Sequence, residues 1–138
     1  MDVIIHGRGI SRGQATAELL VSTEPISFLS GVDPETGEVL EQGHPLAGQS
    51  VAGKVLAFPY GKGSTVGSYV LYALARNGVA PAAIINEEAE PIIATGAIIA
   101  GIPMVDRPER PLASLPAGTV VTVDGDSGDI RYAGELAD

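Results

Sequence analysis

Hydrophobic positions along the chain fall into short runs punctuated by glycine and proline, and their period changes from run to run. Val3 to His6 and Thr16 to Ser22 read as strands, the second interrupted by Glu18. Val55 to Phe58 is a continuous apolar run closed by Pro59, which predicts a buried strand that stops there because proline donates no ladder hydrogen bond. Beyond it, Val66, Val70, Leu71 and Leu74 recur at helical spacing as far as Arg76-Asn77-Gly78, a basic residue and a glycine that suit a helix end. Ser64 or Thr65 is the expected N-cap. Ala82 to Ile85 predicts a second buried strand, Pro91 to Ala100 a second helix, and Met104-Val105 a third strand. Thr119 to Val123 and Ile130 to Tyr132, separated by turn residues, predict a terminal hairpin. The order β-loop-α-β-α-β implies an α/β fold: a β/β/α sandwich with a mixed sheet, parallel at its centre and flanked by antiparallel strands from the two ends. Ser30 to Gly53, rich in glycine, proline and acids, reads as a long irregular loop, of the kind compact domains keep for function or docking.

Length and composition narrow the possibilities. At 138 residues the chain fits one domain, spanning 1–138, with 45% hydrophobic and 18% charged residues, as expected of a folded protein. There is no cysteine, so disulfides and any iron–sulfur cluster held by this chain's own thiolates are excluded. Seventeen acidic and eight basic residues give a net charge of −9, and the cations are dispersed, which argues against nucleic acid. The longest apolar runs are far short of the roughly 20 residues that span a bilayer, so no membrane partner is expected. Met1-Asp2 leads directly into Val3 with no basic and apolar leader, and a cytoplasmic protein is expected.

Two motifs fail on chemistry. Gly48 to Lys54 matches the start of a nucleotide-binding P-loop, but Val55 stands where a hydroxyl must meet magnesium, and Lys54 leads into a strand instead of a helix. Lys54 reads as a solubilising residue at a strand edge. Asp124, Asp126 and Asp129 resemble a calcium loop, yet Gly128 holds the fifth place, and a hairpin turn explains them better. His6 reads as structural. His44, in the long polar segment, is kept as a candidate substrate contact beside its structural reading.

The stretch Gly61-Lys62-Gly63-Ser64-Thr65 lies between a predicted strand and a predicted helix. Its glycines allow a sharp turn and close approach of a ligand to the main chain. Unpaired amides and the positive end of the helix favour an anion, to which Lys62 adds a full charge. That field also favours an ionised Ser64 hydroxyl, otherwise too weak a base to take a proton from carbon. From the residues alone two readings stand: a cap and a turn, or an anion site with Ser64 as a base.

Five segments in order extend over nearly the whole chain: Pro25–Phe28 with Gly31–Gly37, His44–Ser50, Pro59–Ser64, Ala80–Ile85 and Gly96–Pro103. In these the sequence resembles the small, swivelling-domain subunit of aconitase X-type dehydratases. The resemblance implies a swivelling β/β/α domain that pairs with a large catalytic subunit, the active site lying between the two chains. It implies an iron–sulfur cluster on that partner acting on the departing hydroxyl, with none bound by this chain alone. Ser64 falls on the serine proposed as proton acceptor, with Gly61, Lys62, Gly63, Thr65 and His44 as substrate contacts. Within the family the resemblance favours a small anionic substrate, (R)-5-phosphomevalonate, dehydrated to trans-anhydromevalonate 5-phosphate, over cis-3-hydroxy-L-proline. Two positions depart from the family pattern: Thr65 where many members have a second serine, and Ser30 where many have glycine. Two other classes remain for comparison. A phosphohistidine carrier needs a histidine at the loop-to-helix junction, and Ser64 to Ser68 has none. A non-catalytic anion-binding module would use the loop without chemistry at Ser64.

Overall fold

Alternation within the apolar runs lets single strands serve two cores at once. The computed structural model describes residues 2–62 and 66–133. Its strands are β1 (Asp2–His6), β2 (Arg8–Ser11), β3 (Gln14–Val21), β4 (Val55–Phe58), β5 (Ala83–Asn86), β6 (Met104–Asp106), β7 (Val120–Asp124) and β8 (Asp129–Ala133). Two α-helices, α1 (Gly67–Arg76) and α2 (Pro91–Ala100), and a short 3-10 turn at Leu112–Ser114 complete the described elements. Neighbouring side chains on a strand face opposite sides of the sheet. On β4, Leu56 and Phe58 therefore join Leu71, Leu74, Ile93 and Ala97 of the helices. Val55 and Ala57 join Ile5, Val121, Val123 and Ile130 of the outer strands. The split repeats on β5 and β6, where Ile84 and Met104 face the helices while Ala83, Ile85 and Val105 face away. Helices, central sheet and outer sheet thus form three layers, the predicted β/β/α sandwich.

The strand order is β1-β8-β7-β3-β4-β5-β6-β2. β3 to β6 run parallel, with α1 and α2 as the crossovers between β4, β5 and β6. The first half of β3 pairs antiparallel with β7 and its second half parallel with β4, so this one strand belongs to both sheets. β1 and β2 stand at opposite ends of the order, yet only Gly7 separates them in sequence. The sheet must therefore curl until its two edges meet. There the terminal hairpin locks against the corner: Gly7 N–H donates to the Gly128 carbonyl at 2.9 Å, and a side chain at Gly9 or Gly125 would collide with the backbone opposite. β2 was not legible in Arg8-Gly9-Ile10-Ser11, which has no apolar alternation, and it owes its strand state to pairing with β6.

The segment expected as irregular loop has that backbone, with isolated bridges Val32–Val39 and Glu38–Ser50 in place of strands. It is nevertheless core: Val32, Val39, Leu46 and Val51, with Ile26 and Phe28 just before the segment, are all buried against the helical layer. Its apolar residues follow no period, which hid this from a reading based on spacing. Lys54 reaches Glu18 on β3 at 3.1 Å, in keeping with a strand-edge role. Asp124 Oδ1 accepts the amides of Asp126 and Ser127, which hold its carboxyl below the ordinary carboxylate value, so this acid serves the hairpin turn. Among the described residues no helix is long and apolar enough to cross a membrane.

Candidate functional site

The end of β4 delivers the chain to the candidate loop under tight control. Pro59 accepts the Glu87 amide at 3.0 Å; Ile26 N–H donates to the Tyr60 carbonyl at 3.3 Å and Lys62 N–H to the Ile26 carbonyl at 3.0 Å. Gly61 pairs with Ile26 as an isolated parallel bridge. Gly61 is required for space and not for an unusual backbone angle: its φ is not positive. A Cβ there would overlap Ile93 Cγ1 and stand 3.2 Å from Glu90 Oε1. Gly63, Ser64 and Thr65 lie outside the described residues, and with them the expected base and the two hydroxyls expected to cap α1.

The first turns of the two helices meet beside this stem. Gly67 of α1 and Glu90, Ile92 and Ile93 of α2 line one small cavity of about 50 Å³ together with Phe28, Gly61 and Lys62. The helices pack closely because Gly96 is bare: a Cβ on it would come within 2.9 Å of Leu71 Cδ1 and of Ser68 Cα. α2 closes its own N-terminus, since the Glu90 carboxylate accepts the amides of Ile92 at 2.9 Å and Ile93 at 2.6 Å, with Pro91 in the first turn. α1 has Val66 as its N-cap, whose own side chain caps nothing, and no acid in its first turn. The positive end of α1 is thus left without an acidic side chain of its own, next to the backbone of Lys62.

Lys62 is 45% exposed and its ammonium stands 3.4 Å from Glu41, a long contact that keeps the cation near the loop. His44, expected among the substrate contacts, is 7% exposed with both ring nitrogens engaged inside the chain. Nδ1 accepts the Leu46 amide at 3.0 Å, so the proton sits on Nε2, which donates to the Pro25 carbonyl at 3.1 Å. His44 therefore touches the loop through Pro25 and Ile26, the segment that brackets Gly61 and Lys62. Ser30 has φ of +67°, the left-handed region where glycine is at ease, so the backbone at this position would suit glycine.

Three residues near the site were missed by reasoning from sequence. Glu90 was legible in principle, as an acid directly before a proline that opens a helix. Asp106, fully buried, takes a two-pronged hydrogen bond from Arg8 at 2.9 and 2.8 Å and accepts the Ala89 amide at 2.8 Å, fixing the turn that leads to Glu90. Asn86, also fully buried, donates to the Phe58 carbonyl at 3.0 Å where β4 ends, and its Oδ1 has no hydrogen-bond partner among the described residues. Neither of these two carries a local sequence signal, because their partners lie far along the chain.

Comparison with known proteins agrees with this architecture. The sequence pattern of the aconitase X swivel domain matches residues 4–132. The phosphomevalonate dehydratase small subunit of Methanothermobacter thermautotrophicus is 62% identical over 126 residues, covering 91% of this chain and 96% of that protein. The protein of the same name from Methanosarcina acetivorans is 61% identical over 128 residues, covering 92% of this chain and 89% of that protein. The crystal structure of Thermococcus kodakaraensis aconitase X in its holo form superposes with a TM-score of 0.91 at 54% identity, covering 96% of this chain and 99% of the matched chain.

Proposed function

The chain belongs to the aconitase X swivel-domain family, and from that membership we propose that it is the small subunit of a dehydratase acting on (R)-5-phosphomevalonate, with Ser64 as the proton acceptor. The observation that supports this reading is the charge at two neighbouring helix ends: the Glu90 carboxylate closes α2, while the first turn of α1 holds no acid and Lys62 lines the same cavity. A substrate bearing carboxylate and phosphate suits such a positive end with Lys62 beside it. The names of relatives 54–62% identical favour phosphomevalonate over hydroxyproline.

In the sequence Ser64 falls between Lys62 and α1, and positive charge from both would favour its alkoxide. In the reaction the alkoxide takes the proton from the carbon next to the hydroxyl-bearing carbon, the C–H electron pair becomes the new double bond, and hydroxide departs; release of the Ser64 proton restores the alkoxide and balances the proton that turns hydroxide into water. Removal of the hydroxyl falls to the other chain. This chain's residues do not fit an iron–sulfur cluster: it has no cysteine, and among the described residues no three acids or histidines group as metal ligands. We place the cluster on the large subunit. Lys62 and the α1 entrance hold the anionic substrate, and His44 acts on the loop by fixing Pro25. The test is Ser64→Ala in the assembled enzyme: turnover is expected to fall by at least about 100-fold with substrate affinity kept. Unchanged turnover would reduce Ser64 to a structural residue.

A further inference from the structure

The helical layer presents a surface of unusual composition for a chain carrying 25 charged residues. α2 has no charged residue in its ten positions, although Ile99 is 61% exposed. α1 has one, Arg76, in its last turn, while Tyr69 is 73% and Tyr72 42% exposed. An exposed helix face normally carries charge. Here Ser68, Tyr69, Tyr72, Thr95 and Ile99 instead line an apolar groove of about 350 Å³. Aromatic enrichment with charge depletion is the composition of a protein–protein interface core.

The groove is also placed with respect to the loop. α1 follows directly from Gly61–Thr65, so Tyr69 lies five residues beyond Ser64. Tyr60 in the loop stem, and Leu29 and Leu40 of the bracketing segment, are exposed apolar residues as well. A second copy of this chain is a poor occupant, because it would bring another nine negative charges to the contact. A loop that supplies only half of an active site needs a different chain beside it.

We infer that the outer face of α1 and α2, whose only charge is Arg76 in the last turn of α1, is the seat of the large subunit, and that Tyr69 and Ile99 anchor it. The inference rests on the proposed function for the identity of the partner. It places the clamp on the helical layer and leaves the outer sheet, where Val120 is equally apolar and 57% exposed, outside the contact.

The experiment measures the affinity of the purified chain for its large subunit, by calorimetry under anaerobic conditions, for the native chain, Tyr69→Glu/Ile99→Glu and Val120→Glu. The double variant is expected to bind at least 100-fold more weakly and Val120→Glu within twofold of native. At saturating large subunit the double variant is expected to recover kcat, since it alters assembly and not chemistry. Hydrogen exchange on the native complex provides a second measurement that needs no variant: amides of 69–72 and 95–99 should slow on binding. Affinity within threefold of native for the double variant, or exchange slowed only on the outer sheet, would overturn the inference. So would a homodimer of the isolated chain that the double variant dissociates while large-subunit binding persists. Ser64→Ala keeps these apart from failure of the catalytic reading, because it is expected to bind normally: full turnover in Ser64→Ala would sink the base and leave the docking result standing.

Discussion

Two helices of equal length begin side by side at the same small cavity, and the chain treats their beginnings in opposite ways. α2 is sealed by its own carboxylate, with proline in the first turn and two amides satisfied by Glu90. α1 begins at Val66, and its first turn has no acid. A carboxylate at a helix start offsets its positive end by about 0.3–1 kcal/mol. By charge, α2 is closed from within the chain; on the proposed function, α1 keeps its positive end for the anionic substrate.

The largest effect should come from disturbing the stem that the two ends share. Gly61→Ala would drive a methyl group into Ile93 Cγ1 and against the Glu90 carboxylate, pushing the loop away from α2. Overpacking of this kind costs about 1–3 kcal/mol. A displacement near 1 Å at a reacting group costs on the order of 100-fold in rate. Urea unfolding and turnover of the assembled enzyme measure both. Near-native turnover would mean that the loop's working position is not set by contact with α2.

Exchanging the caps tests the comparison itself. Glu90→Ala strips α2 of its seal and should destabilise the chain by about 1 kcal/mol. Val66→Asp offers α1 a carboxylate and should stabilise the helix by about 0.3–1 kcal/mol. At saturating large subunit the same substitution should raise KM several-fold, because the new carboxylate occupies the field meant for the substrate. If Val66→Asp gains stability with no change in KM, the positive end of α1 does not take the anion.

How much of this was legible before the structure depends on where a residue's partner lies. The strands Val55–Phe58 and Ala83–Asn86, both helices and the terminal hairpin announce themselves through period and punctuation, because their determinants are local. The stop of α1 at Asn77-Gly78 is local too, and Gly78 takes the expected left-handed angle of +72°. β2 was not legible, since Arg8-Gly9-Ile10-Ser11 becomes a strand only through β6, some 95 residues away. The buried run from Ile26 to Val51 was unreadable for a related reason: its apolar residues are set by contacts with the helical layer and not by a repeating backbone. At the site, the glycine–lysine–glycine–serine stretch was found from its neighbours in sequence. The reason for Gly61 was not, because the side chain it must avoid, Ile93, belongs to another element. His44 was found as a candidate, but its role follows from its bonds to Pro25 and Leu46, which no spacing rule supplies.

The smallest effect tests whether the remainder of the molecule is inert to the contrast between the helix ends. His6 on β1 faces Asp129 on β8 across the outer sheet, with Nδ1 2.8 Å from the carboxylate. That hydrogen bond, and then the negative charge of the same acid, raise the imidazole pKa above its ordinary value of 6.5. A folded-state pKa above the unfolded one means that protonated His6 favours the fold. The contribution is complete below the unfolded value and disappears as pH rises through the folded one. Because His6 is exposed, the gain in stability is small. Proton NMR titration of the ring should give a midpoint above 6.5, and Asp129→Asn should bring it back toward that value. Turnover measured across the same pH range should be the same in the native enzyme and in Asp129→Asn, since this pair lies in the outer sheet and Gly61 and Lys62 lie beside the helices. A change in the pH profile of turnover that tracks the His6 midpoint would show that the outer sheet and the α1 entrance are coupled, and that the contrast between the two helix ends is not a local property.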